Sequence, residues 1–431
     1  MSSEWISTTL GEVTSWMSGG TPKKDVAAYW NGDIPWISAN SMYGTRYSDS
    51  DLRITREGLA NGSRLAPESS VLLLVRGGAL HNRIPVGIAT REVAFNQDVK
   101  ALLAKRDRLN PWYLLFWLMG QERFLLDSVV EFTGIGAGKL DTQRMQALPF
   151  LLPKLEEQNT IVALAKGIDD RIALLRETNT TLEAIAQALF KSWFVDFDPV
   201  HARARGEEPD GLAPEVAALF PDSFEESELG MAPKGWNVSS LASLMDIAGG
   251  TQPPASEFID TPSEGYIRLI QIRDYETDAH LTFVPNTHKL RTTTAEDIMI
   301  ARYGASVGRI CWGLDGAYNV ALVRVVCEPD HREFLRTYLL TDVFQARLAA
   351  VSGRSAQAGF NKGDIASFKL VVPSPQLLQI YQAHIWPLRE KILHQRQQAQ
   401  NLATLRDTLL PRLISGQLRL PEADAIVEEV S

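Results

Sequence analysis

The sequence predicts an α+β protein. Two tandem-repeated β-rich units are separated by a pair of long antiparallel helices, an intramolecular coiled coil, in a pseudo-two-fold arrangement. Three observations carry this reading. The chain repeats itself in order, each copy runs into a heptad of apolar residues, and 431 residues exceed what one hydrophobic core organises. The expected boundaries are a first unit at 1–150, a helical spacer at 151–197 and an acidic linker at 198–235. A second unit at 236–372, a second helical spacer at 373–420 and a C-terminal tail at 421–431 follow.

The repeat rests on six blocks in one order. WISTTLGEVTSWMSGGTP (5–22) returns as WNVSSLASLMDIAGGTQP (236–253), and DIPWISANSMYG (33–44) as GYIRLIQIRDYE (265–276). SVLLLVRGGALHNRIPVG (70–87) returns as DIMIARYGASVGRICWG (297–313), which pairs Arg76 with Arg302. EVAFNQDVKAL answers to DGAYNVALVRV, NPWYLLFWLM to HREFLRTYLL, and PFLLPKLEEQ to KLVVPSPQLL. The offset drifts from about 230 to about 220, as loops of changing length would produce. Within each copy, short apolar runs alternate with Gly, Pro, Asn and Asp, the pattern of strands and turns. VLLLV and DIMIA read as strands entering a turn, and 111–127 and 332–350 read as helices.

The spacers follow a strict period of seven. Ile161, Ile168, Leu175, Leu182 and Leu189 interleave with Ala165, Ile172, Asn179, Ala186 and Trp193. The second copy offers Tyr381, Leu388, Gln395, Leu402 and Leu409 with Ile385, Ile392, Ala399, Arg406 and Leu413. Gly167 aligns with Pro387, and both residue types break helices. The expectation is therefore a short helix, a break, and a longer helix over 168–195 and 388–414, each about 40 Å long. The Pro-, Gly- and acid-rich stretch 196–236 reads as a linker leading back to the second unit.

Charge permits nucleic-acid binding without arguing for it. The net charge is −9, but residues 154–235 alone carry 16 acidic and 8 basic side chains. The flanking blocks are near neutral and can present local basic faces. Cys311 and Cys327 are the only cysteines, too few for a disulfide framework or a Cys-rich zinc site. The N-terminus lacks a signal-peptide pattern, and the apolar run from Trp112 to Met119 is too short to cross a bilayer, so a cytoplasmic protein is expected.

EFTGIGAGKLDT (131–142) invites two catalytic readings, and neither holds. Phe132, Gly134 and Gly136 spell a methyltransferase-like F-x-G-x-G. The one Pro-Pro, in TQPPAS, lacks the acidic or amide lead and the aromatic of a catalytic loop, and the twin loop SGRSAQAGF lacks the glycines. A phosphate loop requires Gly where Thr133 stands and Ser or Thr where Leu140 stands. The seven histidines show no metal spacing, and Asp98-Val99-Lys100 lacks the rest of a nuclease motif. No catalytic residue, metal site or cofactor site is expected in this chain.

Binding groups remain. In the first unit the DNA-binding candidates are Lys23, Lys24, Trp36, Asn40, Tyr43, Arg46, Tyr47, Arg76 and Arg83. In the second they are Gln252, Arg268, Gln271, Arg273, Tyr275, Arg302, Arg309 and Arg354. Lys139, and Lys362 near the same place in the twin, are candidate phosphate contacts in the exit loops.

With these blocks in place, the chain resembles the specificity subunits of type I restriction–modification systems over nearly its whole length. The carrying features are the EW or GW start followed by GGTP or GGTQP, and the DIMIARYGASVG and AYN blocks. LLPKLEEQNTIVALAKGIDDRI leading into LEAIAQALFKSWFVDFDPV, the FPDSFEESELGMAPKGW linker and the LLPRLISGQLRLP close complete them. The resemblance implies two target-recognition domains, each reading half of a split double-stranded DNA site. It implies helices that act as a spacer and dock two methyltransferase subunits, with restriction subunits (motor and endonuclease) joining for cleavage. This chain would then be non-catalytic, with S-adenosylmethionine, ATP and Mg bound by partner subunits. The alternative is a self-contained adenine-specific DNA methyltransferase or nuclease with its own recognition domain.

Overall fold

The computed structural model describes residues 5–132, 137–276, 280–353, 359–419 and 421–423. The chain divides into two compact units, Met1–Leu175 with Gln398–Ser431, and Arg176–Gln397. Each unit takes half of each long helix.

In the first unit, strand Ile6–Thr9 pairs antiparallel with Pro149–Leu152, tying the entrance of the globular part to its exit. A five-stranded sheet runs in the order Thr14–Ser18, Val99–Ala104, Val71–Leu74, Val86–Ala89, Arg46–Tyr47. Val71–Leu74 is buried along its whole length, as a central strand covered on both faces must be. A four-stranded sheet holds Trp30–Ile37 beside Val93–Phe95 in a parallel pair. Helix Pro111–Gly120 starts where Asn110 caps the Trp112 N–H and Pro111 presets the first turn; Tyr113 to Leu118 are buried. The helical reading of 111–127 splits at Gln121, and Glu122–Ser128 forms a second helix.

The second unit repeats the plan. Asn237–Ser240 pairs with Lys369–Val372, Met245–Gly249 with Leu322–Cys327, and Tyr266–Ile270 lies parallel to Gly316–Tyr318. The helical reading of 332–350 likewise splits, into Arg332–Leu339 and Asp342–Ser352. Strand register corrects two details of the repeat. Ala94 faces Trp36 and Ala317 faces Leu269, so Trp36 corresponds to Leu269 and not to Arg268. Val75 and Arg302 make the equivalent backbone bonds, to Asp98 and Ala321, so Arg302 matches Val75, and Arg76 matches Tyr303.

The predicted helix breaks do not occur. Leu155–Phe194 and Pro375–Ile414 are each continuous over 40 residues, about 60 Å of helix, and the 40 Å estimate falls. Gly167 is exposed in helical backbone, and Pro387 is flanked by buried Ile385 and Arg389. Packing on both sides thus outweighs a propensity cost of about 1 kcal/mol for Gly and 3 kcal/mol for Pro.

In the first unit, Ile161, Ala165, Ile168, Ile172 and Leu175 share a core with Ala399, Leu402, Leu409 and Leu413. In the second, Ala186, Phe190 and Trp193 share a core with Tyr381 and Ile385, with Leu189 and Leu388 packed at its edge. Tyr381 Oη donates to the Ala186 carbonyl at 3.3 Å while Arg389 pairs with Glu183, so the helices run antiparallel. Ile392 is buried and Leu182 half-buried. Asn179 Oδ1 and Gln395 Oε1 are buried oxygens without a hydrogen-bond partner among the described residues.

The acidic stretch is more than a solvated connector. It forms helix Asp198–Ala204 and the hairpin Phe224–Ser227/Gly230–Pro233. Its Val200 and Phe220, with Trp236, complete the second unit's core. No helix of the described residues is long and apolar enough to cross a membrane.

Candidate nucleic-acid interface

In the first unit two pairs of candidates meet, Arg76 with Lys139 and Arg83 with Tyr43. Buried Val71–Leu74 delivers the chain to Arg76–Gly77, which pairs with Gly138–Leu140 so that Arg76 stands directly opposite Lys139. Opposed residues of an antiparallel pair share a face, so the two cations lie side by side. Gly138 is required there, because a Cβ would come within 2.6 Å of Leu80 Cβ. Further on, the His81 ring stacks on Phe132, centroids 4.5 Å apart and planes at 18°, and Phe132 is 56% exposed. Arg83 donates from Nη2 to the Met42 carbonyl at 3.2 Å and covers the ring of Tyr43, which is 71% exposed. Lys139 Nζ lies 3.7 Å from Asp141. Backbone N–H groups of Arg144 and Gln143 hold the Asp141 carboxyl below its usual range as it caps the next helix. Lys23, Lys24 and Asn40 are exposed. Exposed aromatics beside cations suit phosphate and base contact.

Three candidates of this unit are structural instead. Trp36 is buried, its Nε1 donating to the Gly20 carbonyl at 3.0 Å and its ring meeting Trp30 edge-on. Tyr47 is buried beneath Gly87, and burial pushes its hydroxyl pKa up. Arg46 reaches the first long helix, pairing with Asp169 at 2.9 Å and with Asp170, while lying over Trp112. Arg406, which reads as an interruption of the seam, bonds the same Asp169 at 2.8 Å, and Thr45 donates to it as well. These groups fasten the sheet to the helices.

In the second unit, Gln271 opens a turn by accepting and donating across to Asp274, and its Nε2 donates to Thr282 Oγ1 at 3.1 Å. Arg268 lies 4.0 Å from Asp274, and Tyr275 is half-buried with its hydroxyl pKa raised by burial. Arg273 is 51% exposed by side chain, and Arg309 pairs with Glu276. Arg302 donates from Nε to the Phe360 carbonyl at 3.1 Å and covers Tyr303. Gln252 is exposed. Lys362 does not take Lys139's place. It opens the short helix after Asn361, pairs with Asp246, and corresponds to Thr142; Lys139 corresponds to Gly359. Arg354 and Gly134 lie outside the described residues.

Sequence reasoning missed a buried ion cluster in the second unit. Glu333 accepts from Arg336 at 3.0 Å and from Arg389 at 3.0 Å, all three being at most 1% exposed. Arg336, Arg389 and Arg396 lie 4.8, 4.4 and 3.9 Å from the Trp312 ring centroid. Burial lowers the Arg336 pKa and brings Arg396 down to about 10. Losing one partner of such a set costs about 3–5 kcal/mol, because a buried charge is left unpaired. The i, i+3 spacing of Glu333 and Arg336, interleaved with Phe334, Leu335, Tyr338 and Leu339, was the available signal. Burial also pushes both cysteine thiols up to about 11, so neither is a thiolate nucleophile near neutrality. No group of three metal-binding side chains occurs among the described residues.

A unit built twice, with its polar and aromatic groups on loops outside buried sheets, defines a two-module recognition protein. A model of the family "Type I restriction modification DNA specificity domain" matches residues 2–184 and 233–398, and the chain belongs to that family, holding the domain twice. The MjaIX specificity subunit, a type I restriction enzyme subunit of Methanocaldococcus jannaschii, is 25% identical over 96% of this chain and 92% of its own. The type I restriction enzyme HindI specificity subunit of Haemophilus influenzae is 28% identical over 64% of this chain and 70% of its own. In fold, the chain is similar to the type I restriction–modification S subunit from M. genitalium, with a TM-score of 0.54, 14% identity and 96% of each chain covered.

Proposed function

We propose that this chain is the non-catalytic DNA-recognition subunit of a type I restriction–modification complex and reads a split duplex target. The region 1–150 contacts one half-site and 236–372 the other. The long helices dock two methyltransferase subunits, and motor–endonuclease subunits join for cleavage. In that assembly adenine-N6 methylation and ATP-dependent cleavage belong to partner subunits, which hold S-adenosylmethionine, ATP and Mg, and the complex works in the cytoplasm. The observation that carries this reading is the duplication itself: two copies of one globular plan, each carrying its polar groups on corresponding loops, with exposed Asn40 and Tyr43 in one and exposed Arg273 in the other. Two similar modules in one chain suit an asymmetric two-part target better than a single catalytic centre does.

Sequencing the methylome of cells carrying the complete system tests it, alongside methyl-transfer assays on the chain alone. The expected result is one bipartite methylated motif that depends on this chain, and no transfer by the chain without partners. Methyl transfer by the purified chain would instead favour a self-contained methyltransferase.

A further inference from the structure

We propose that the short turn after the parallel-paired strand is the base-reading element of each unit, with Asn40 reading adenine in the first and Arg273 reading guanine in the second. The inference rests on the DNA-recognition role proposed above. Strand register sets the correspondence. Ile37 faces Phe95 and Ile270 faces Tyr318, and the next residues, Asn96 and Asn319, donate their N–H groups to the Ile37 and Ile270 carbonyls at 3.0 and 3.1 Å. Counting onward, Ser38 matches Gln271, Asn40 matches Arg273, Ser41 matches Asp274 and Tyr43 matches Glu276.

The two turns are built alike. The Ser38 N–H donates to Ser41 Oγ at 2.9 Å, and the Gln271 N–H donates to Asp274 Oδ2 at 3.0 Å. An arginine from further along the chain, ahead of strand Val86–Ala89 in the first unit and of Ile310–Cys311 in the second, then holds each turn. Arg83 bonds the Met42 carbonyl and covers Tyr43, and Arg309 pairs with Glu276. Within this duplicated frame two exposed positions differ. Tyr43 and Glu276 are the ones held by the arginines, while the other position carries Asn40 in one unit and Arg273, 3.9 Å from Asp274, in the second. A rigid turn whose outward groups vary is what base discrimination requires, since ordering is complete before binding. An asparagine amide pairs with adenine N6 and N7 in the major groove, and a guanidinium with guanine O6 and N7.

The test compares wild type, Asn40→Ala and Arg273→Ala in cells carrying the complete system, by mapping methylated sites. Each purified full-length chain is also melted and its binding to motif and mismatched duplexes measured. Arg273→Ala is expected to relax one guanine position in one half-site, lowering that preference about 5- to 150-fold, with the other half-site and the gap unchanged. Asn40→Ala should do the same at one adenine position of the other half-site. Unchanged motifs from variants that melt with wild type overturn the inference. So does a uniform loss of binding with a weaker salt dependence, which marks phosphate contacts. Should an alanine variant unfold, Asn40→Asp and Arg273→Met replace it, since an aspartate cannot donate to adenine N7 and a methionine cannot donate to guanine O6 or N7. If wild type yields no split motif, the recognition role itself has failed.

Discussion

Arg76 and Lys139 stand opposite one another on paired strands, where like charges destabilise a sheet. Asp141, 3.7 Å from Lys139, and Glu131, opposite Lys139 on its other side and paired with Arg144, offset part of that repulsion. Arg76, Lys139 and Arg144 against these two carboxylates leave one positive charge for an anionic ligand. Lys139→Ala is expected to weaken DNA binding for all sequences alike and to lower the slope of log K against log salt by about 0.9 per lost phosphate contact. Titrations at several salt concentrations, on motif and unrelated duplexes, check this; a change confined to one sequence would make Lys139 a base contact. At this scale the sequence revealed residue types but not exposure. Trp36 and Tyr43 stand seven residues apart in one candidate set, yet one lies in the core and the other is among the most exposed aromatics. Arg46 looks like Arg83 in sequence, and only the fold shows that it faces two aspartates on a helix.

At the scale of elements, the strands and the heptad seam were legible because their periods are enforced by burial. Ile161, Ile168 and Leu175 recur every seven residues, and all three are buried. The predicted breaks failed because a helix propensity of about 1–3 kcal/mol is small beside a seam packed along its length. Register was the other loss. A one-residue shift at Arg76 or Trp36 changes few identities in an alignment, whereas the hydrogen-bond ladder admits only one pairing. Gly167 gives the element-scale prediction. It is exposed, and a Cβ there meets nothing within 4 Å. Gly167→Ala is expected to stabilise the chain by about 0.5–1 kcal/mol, seen as a higher midpoint in denaturant unfolding. A lower midpoint would restore the break.

At the scale of the whole molecule, the duplication was legible because six blocks kept their order while loop lengths drifted. The bases each unit reads were not, since outward side chains are unconstrained by folding. Lengthening both long helices by one heptad in matching layers is expected to change the gap between half-sites and leave each half-site sequence intact. Methylation mapping that finds the same gap would remove the spacer role. The duplication is broken at one telling place. Asp169 and Arg389 hold the same seam-flanking position, 220 residues apart, with opposite charges. Asp169 receives Arg46 from the first globular part, and Arg389 receives Glu333 from the second. Exchanging the globular parts would set Arg46 against Arg389 and Glu333 against Asp169, like charge against like. The two halves are therefore keyed to their own helices, and a genetic rearrangement that moves one to the other position must carry its matching helix residue along.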